Sequence, residues 1–131
     1  MSISYDEAVA LGAAYTAAWN SKDPRQVASF FAEKSQIVIN RGTPWIDRPG
    51  VTEMAAGFHR DVPDLDLVCD GVRPTGDHMV YLWTFTGHDA STGHPLKIHG
   101  MEEWDIDDTH KVIASRGWFD AEDYSRQANG A

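Results

Sequence analysis

Two adjacent carboxylates, Glu102 and Glu103, lie in an alternating stretch that runs from Leu96 to Ile106. A strand turns successive side chains to opposite faces, so one of the two must point inward. Glu102 shares its face with Ile98, Gly100 and Trp104, an apolar row in which a carboxylate is unexpected, whereas Glu103 reads as a solvated side chain. His99 lies on the face opposite Glu102, so only one of them should see an interior. Asp120 is the next acid of interest. Walled in by Trp118, Phe119 and helix aromatics, its charged form would be disfavoured and its pKa raised, which suits proton transfer near neutral pH. It can equally cap a short helix that begins Ala121-Glu122-Asp123. Parity bears on the choice. Arg116, Trp118 and Asp120 share one face and Ser115, Gly117 and Phe119 the other, so Asp120 and Phe119 line one cavity only where a bulge or the strand's end breaks the alternation.

Other residue types carry weaker chemistry. His88, His94 and His99 fall within twelve residues, but their spacings of six and five do not converge as a ligand set does. With no His-x-x-x-His on a helix and no cysteine partner, no metal is expected. His59 follows Phe58 and either reaches a pocket mouth as a polar anchor or acid/base partner, or sits at a helix end favoured by the macrodipole. Tyr15, on a buried helix, is either a core ring whose hydroxyl finds one partner or a site residue. Trp19, Trp45, Phe58, Trp83, Trp104, Trp118 and Phe119 are expected to wall a pocket for an apolar ligand of the polycyclic or aromatic kind. The Arg41–Arg48 loop, carrying Trp45, is positioned as a lid beside it. No Gly-x-Ser-x-Gly, phosphate loop or basic aromatic ribbon occurs in the sequence.

The elements that must position these residues follow from local signals. Ser4-x-x-Glu7 is a capping box ahead of an Ala-rich helix over about Tyr5 to Asn20. Val9, Leu11, Ala14, Tyr15, Ala18 and Trp19 cover more than a narrow stripe, which predicts deep burial. Asp23-Pro24 starts a second, short helix with Val27, Phe30 and Phe31 on one side. Gln36 to Asn40 reads as a first strand, Arg41 to Pro49 as a loop, and Gly50 to Arg60 as a third helix ended by Pro63. Beyond it the period changes to two. Leu65, Leu67 and Cys69 alternate with aspartates, and three further runs, His78–Gly87, Leu96–Ile106 and Val112–Phe119, are separated by short turns. Successive strands with short turns predict an antiparallel meander. Three helices followed by four long strands make the fold class α+β, with the helices packed on one face of a curved sheet.

Composition bounds the rest. The 131 residues make one domain, with residues 127–131 expected to fray. Twenty acidic against eleven basic residues give a formal charge of −9, which argues against gripping nucleic acid or anionic lipid. Five tryptophans among the aromatic residues are too many for a disordered chain. One cysteine, Cys69, excludes an internal disulfide framework and fits a reducing compartment. The chain starts without the basic region of a secretory signal, and its longest mostly apolar stretch, Ala8 to Trp19, is too short to span a membrane. A cytoplasmic location is expected.

The order of elements and several local strings resemble one family. They are Tyr15-x-x-x-Trp19-Asn20-x-x-Asp23, Phe30-Phe31-Ala32-Glu33, Val62-Pro63-Asp64-Leu65, Trp83-Thr84-Phe85-Thr86-Gly87-His88, Thr92-Gly93-His94-Pro95-Leu96, and Lys111-Val112-Ile113 followed by Arg116-x-Trp118-Phe119-Asp120. Together they resemble the SnoaL-like polyketide cyclase and ketosteroid-isomerase-like branch of the nuclear-transport-factor-2-like superfamily, over nearly the whole chain. The resemblance implies a cone: a strongly curved, mostly antiparallel sheet wrapped around three N-terminal helices, with an apolar pocket at its open end and a homodimer formed through the outer sheet face. It places Tyr15 on the isomerases' oxyanion tyrosine, and Glu102 near their protonated acid if Trp104 and Ile106 match the apolar residues that follow it. The isomerases' base position falls on Ile39, beside Asn40, and isoleucine cannot take a proton. Asp120 matches the acid/base carboxylate of the SnoaL-like cyclases, which serves an intramolecular aldol ring closure. The implied activity is a cofactor-independent enzyme acting on a hydrophobic carbonyl compound, with Asp120 as acid/base and Tyr15 or Glu102 polarising the oxygen. The alternative is a non-catalytic small-molecule-binding or dimerisation module of the same fold.

Overall fold

Ser4 opens the first helix as its residue types require. Its Oγ accepts from the Glu7 backbone N–H (3.1 Å), and Glu7 Oε1 accepts from the Ser4 N–H in return (2.9 Å). The computed structural model describes residues 2–131. In chain order it contains α1 (Tyr5–Asn20), α2 (Pro24–Ala28), β1 (Phe31–Ile39), β2 (Trp45–Ile46), α3 (Asp47–Asp61), β3 (Asp66–Thr75), β4 (His78–His88), β5 (Pro95–Ile106), β6 (Val112–Phe119) and α4 (Ala121–Ala128). The fold is α+β. One curved, open six-stranded sheet runs β2-β1-β6-β5-β4-β3, antiparallel throughout except for the parallel pair β1–β6. Helix α1 packs on β3 and α3 on β1, so the core lies between the helices and the inward face of the sheet. Among the described residues no helix is long and apolar enough to cross a membrane.

Several elements depart from expectation for identifiable reasons. Helix α1 is buried along a single stripe through Ala8, Gly12, Tyr15 and Trp19, while Val9 stays 45% exposed and Ala14 is exposed. Alanine loses little by facing water, so an Ala-rich helix need not be buried all round. Helix α3 starts at Asp47 rather than Gly50, because Pro49 lies in the first turn, where a missing N–H breaks no hydrogen bond. Strand β1 begins at Phe31, ahead of the expected Gln36, and its pairing with β6 shifts register before Gln36. Strand β3 continues past Cys69 through a register shift at Gly71.

The C-terminal segment is held in place. Gln127 and Ala128, expected in a frayed tail, close α4 instead. β5 runs beyond the end of β6 at Lys97, where the Gln127 amide substitutes for a strand. Its Oε1 accepts from the Lys97 N–H (2.7 Å) and its Nε2 donates to the Lys97 carbonyl (3.1 Å). Thr92 Oγ1 adds a bond to the Ala128 carbonyl at 2.5 Å.

Candidate functional site

The sheet's register brings together residues far apart in sequence. Ile39, Gly117, Glu102 and Tyr81 are Cα partners in one inward-facing row across β1, β6, β5 and β4. One row away lie Ile37, Ser115, Trp104 and Met79, and on the other side Phe119, Gly100 and Trp83. Over these rows sits a cavity of about 60 Å³, closed by Trp19 of α1 and by Met54 and Phe58 of α3. That is room for roughly four to six water-sized groups. The wall is apolar and aromatic except at Glu102, its one carboxylate.

Glu102 is buried, 7% exposed, and held by three side chains. Its Oε1 accepts from Trp104 Nε1 (3.0 Å) and Ser115 Oγ (2.8 Å). The Tyr15 hydroxyl lies 3.0 Å from Oε2 and 3.2 Å from Oε1. Burial raises the Glu102 pKa above the ordinary carboxylate range, against the three hydrogen bonds, which favour the anion. An indole N–H can only donate, and with the Ser115 hydroxyl beside it Oε1 has both lone pairs engaged. A proton taken up by the acid therefore belongs on Oε2. Tyr15 is wholly buried, and burial together with the Glu102 charge pushes its phenol well above its usual value, so it stays protonated. It touches Glu102 from behind and is not part of the cavity wall. Tyr81 is on the wall, but its hydroxyl is bonded to Thr16 Oγ1, which itself donates to the Gly12 carbonyl (2.7 Å).

The other expected site residues divide. Trp19, Phe58, Trp83, Trp118 and Phe119 border the cavity, Trp118 from the outward-facing side of β6, where its indole N–H donates to Glu103 Oε1 (2.7 Å). Trp104 does not; it lies beneath the wall, stacked on Tyr81 at a 5.3 Å ring separation, and serves Glu102 through its N–H. Trp45 lies away from the cavity, on the two-residue strand β2, against Gly50. The Arg41–Arg48 segment, expected as a lid, is partly structure: it holds β2 and the first residues of α3.

Asp120 does not join the site. It is exposed, and its Oδ1 accepts the Asp123 backbone N–H (3.0 Å) as the N-cap of α4. The alternation holds to the end of β6, with Ser115, Gly117 and Phe119 inward and Asp120 outward. His59 is also off the wall. Its Nε2 lies 3.0 Å from the Trp19 carbonyl, which can only accept, so Nε2 carries the proton. Its Nδ1 is buried with no partner among the described residues, and burial lowers its pKa, leaving a neutral ring that fastens α3 to the end of α1. His99 faces outward, with Nδ1 2.7 Å from Thr84 Oγ1.

Ser115 and Gly117 were not anticipated as site residues. The parity of the last strand carries the signal that they face inward with Phe119, but their position opposite Trp104 and Glu102 depends on the register between β5 and β6. In sequence, Asn40 stands out only as the neighbour of Ile39. It ties the end of β1 to β6, its N–H donating to the Gly117 carbonyl (2.8 Å) and its Oδ1 accepting from the Phe119 N–H (3.0 Å). Among the described residues no cluster of three or more potential metal ligands occurs.

The sequence profile of the SnoaL-like domain matches residues 13–114, and the chain belongs to that family. No curated protein matches the sequence. Three solved structures are similar over nearly their full length. TsrD from Streptomyces laurentii is 18% identical, with 98% of this chain and 99% of that one covered at a TM-score of 0.84. A hypothetical protein of ketosteroid-isomerase-like fold from Catenulispora acidiphila, in complex with trimethylamine, is 15% identical, with 91% and 92% covered at 0.83. A putative SnoaL-like polyketide cyclase from Jannaschia is 13% identical, with 93% and 94% covered at 0.78. At such identities the likeness shows the fold, the cone of the nuclear-transport-factor-2-like superfamily.

Proposed function

We propose that this SnoaL-like domain binds a small, largely apolar carbonyl compound in the aromatic cavity and that Glu102 moves one proton on it. The observation that carries this is the single carboxylate of an otherwise apolar wall, with its pKa raised by burial and with Oε2, which has only the Tyr15 hydroxyl beside it, as the proton site. One such group is enough for an intramolecular aldol ring closure. The Glu102 carboxylate takes a proton from the carbon between two carbonyl groups. The resulting enolate attacks a ketone of the same molecule, and the alkoxide so formed takes the proton back from Glu102 Oε2. The substrate supplies both electrophile and nucleophile, the carboxylate is regenerated, and the chain's own residues suffice without a cofactor. Asp120, capping α4, has no part in these steps. About 60 Å³ holds only the reacting end of a long substrate, the remainder lying in the mouth. Two copies pair through the outer sheet face, where Val68 and Met101 are 50% and 36% exposed.

A second reading is favoured by the ring content of the wall. Trp19, Phe58, Tyr81, Trp83, Phe85 and Phe119 surround the space beside a carboxylate, which suits a small alkylammonium ion held by ring faces and an ionised Glu102. The similar Catenulispora protein is in complex with trimethylamine. The protonation state of Glu102 separates the two. Binding of cyclohex-2-enone, a neutral acceptor, should strengthen as pH falls and Glu102 gains its proton; binding of tetramethylammonium should strengthen as pH rises. Glu102→Gln should retain cyclohex-2-enone with its pH dependence removed, because the amide still donates. Titrations of both probes at pH 5 and pH 8 on the two proteins decide the matter. Tighter tetramethylammonium binding at pH 8, with no binding of the enone, replaces the first reading by the second; absence of binding by either probe sinks both.

A further inference from the structure

Two glycines interrupt the inward-facing rows of the sheet, and they differ in what fills the gap. A Cβ placed on Gly100 would lie 2.2 Å from Trp83 Cζ2 and 2.5 Å from the Trp118 carbonyl oxygen, so the Trp83 ring already occupies that space. A Cβ on Gly117 would meet nothing closer than Ile39 Cγ1 at 3.6 Å, with Glu102 Cγ and the Val38 carbonyl oxygen at 3.8 Å, all ordinary van der Waals separations. The Gly117 backbone is not in the left-handed region, so no dihedral demands glycine there. Gly117 is buried, sits within β6, lines the cavity and is the direct cross-strand partner of both Ile39 and Glu102. Neither packing nor backbone geometry requires a glycine here. Within a strand glycine is less favourable for stability than alanine, and its presence often marks a place where another group approaches the backbone closely.

We propose that the space over Gly117 is the subsite that receives the carbonyl-bearing edge of the ligand, and that Gly117 sets how wide this edge can be. The ligand class this names is a flat ring or enone that lies against β6, its oxygen directed to Glu102 Oε2 and the atom next to its carbonyl over the Gly117 Cα. Ile39 bounds the subsite on the side away from Glu102. The placement rests on the reading of the cavity as the site of a carbonyl ligand.

The experiment compares the wild-type chain with Gly117→Ala, using cyclohex-2-enone and 2-methylcyclohex-2-enone as probes and the unliganded melting temperature as the stability readout. A methyl group fits the unliganded protein, so Gly117→Ala should melt about 2–5 °C higher through the reduced freedom of the unfolded chain. Its binding of cyclohex-2-enone should weaken about tenfold. Binding of the 2-methyl compound, whose substituent lies next to the carbonyl, should weaken further and fall below detection. A melting temperature lower than wild type would mean that glycine serves packing and would overturn the proposal. Equal loss for the two probes, or no loss, would also overturn it, because a subsite must discriminate by width. If the wild-type chain binds neither enone, the carbonyl reading itself fails, a result distinct from a wild-type chain that binds both and a variant that binds both equally well.

Discussion

Tyr15→Phe tests whether the buried hydroxyl serves the charge state of Glu102. The substitution removes one oxygen from a ring that is wholly buried and off the cavity wall, so the shape of the ligand site is unchanged. It leaves Oε1 with Trp104 and Ser115 and leaves Oε2 with no protein partner. A hydrogen bond to a charged group contributes about 1.5–3 kcal/mol, against about 0.5–1.5 kcal/mol for a neutral pair. The anion should therefore lose about 1–1.5 kcal/mol more than the neutral acid, which at 1.36 kcal/mol per factor of ten raises the proton affinity of Glu102 about tenfold.

The sign follows from linkage. Glu102 holds its proton more tightly in the folded chain than in the unfolded one, so the protein is most stable with respect to this group at low pH and loses stability as pH rises through the folded pKa. In Tyr15→Phe that loss extends to higher pH and is larger. Tyr15 itself stays protonated throughout the range. Urea unfolding at pH 4 and pH 8 reads the difference. The destabilisation caused by the substitution should be about 1 kcal/mol at pH 4 and about 1–1.5 kcal/mol greater at pH 8. A penalty equal at the two pH values, or smaller at pH 8, would show that the tyrosine does not distinguish the anion from the acid and would remove it from the machinery around Glu102.

The remaining predictions separate groups that resemble one another in sequence. Asp120→Ala should destabilise the fold by about 1 kcal/mol through loss of the α4 cap and leave cyclohex-2-enone binding unchanged; a specific loss of binding would return Asp120 to the site. Gly100→Ala should behave oppositely to Gly117→Ala. Its methyl group must displace the Trp83 ring, at a loss of about 1–3 kcal/mol in denaturant unfolding with a shifted tryptophan emission, and an unchanged stability would contradict the packing described.

The legibility of this fold in its sequence tracks how local each determinant is. The Ser4–Glu7 box and the Asp23–Pro24 start involve residues three apart or fewer, and both occur as their types require. Glu102 was legible as an inward acid because its own strand supplies the apolar row around it. Asp120 was harder, since cap and pocket acid share one residue type and a strand end permits either; the unbroken alternation from Ser115 to Phe119 decides for the cap. Pro49 misled because a proline in the first turn of a helix has the same sequence signature as one in a loop. Trp45 and Trp104 were grouped with the pocket on ring type alone, and ring type does not say on which side of the wall a side chain lies.

Cross-strand register was not legible at all, and it assembles the candidate site. Nothing in the spacing of Ser115 and Gly117 from Glu102 announces that they meet it, yet one supplies a donor to its Oε1 and the other leaves open the space beside its carboxyl. Glu102 and Gly117, partners in one row, are also positions where the chain departs from what stability favours. A buried carboxylate could be replaced by glutamine, which would accept from Trp104 and Ser115 without the penalty of burying a charge. A buried strand glycine with room for a methyl group could be replaced by alanine. A single departure could be accidental to the fold. Two that are directly paired across β5 and β6, one leaving a proton site and the other leaving the space in front of it, are both accounted for by the ligand proposed above, which would occupy that space and share that proton.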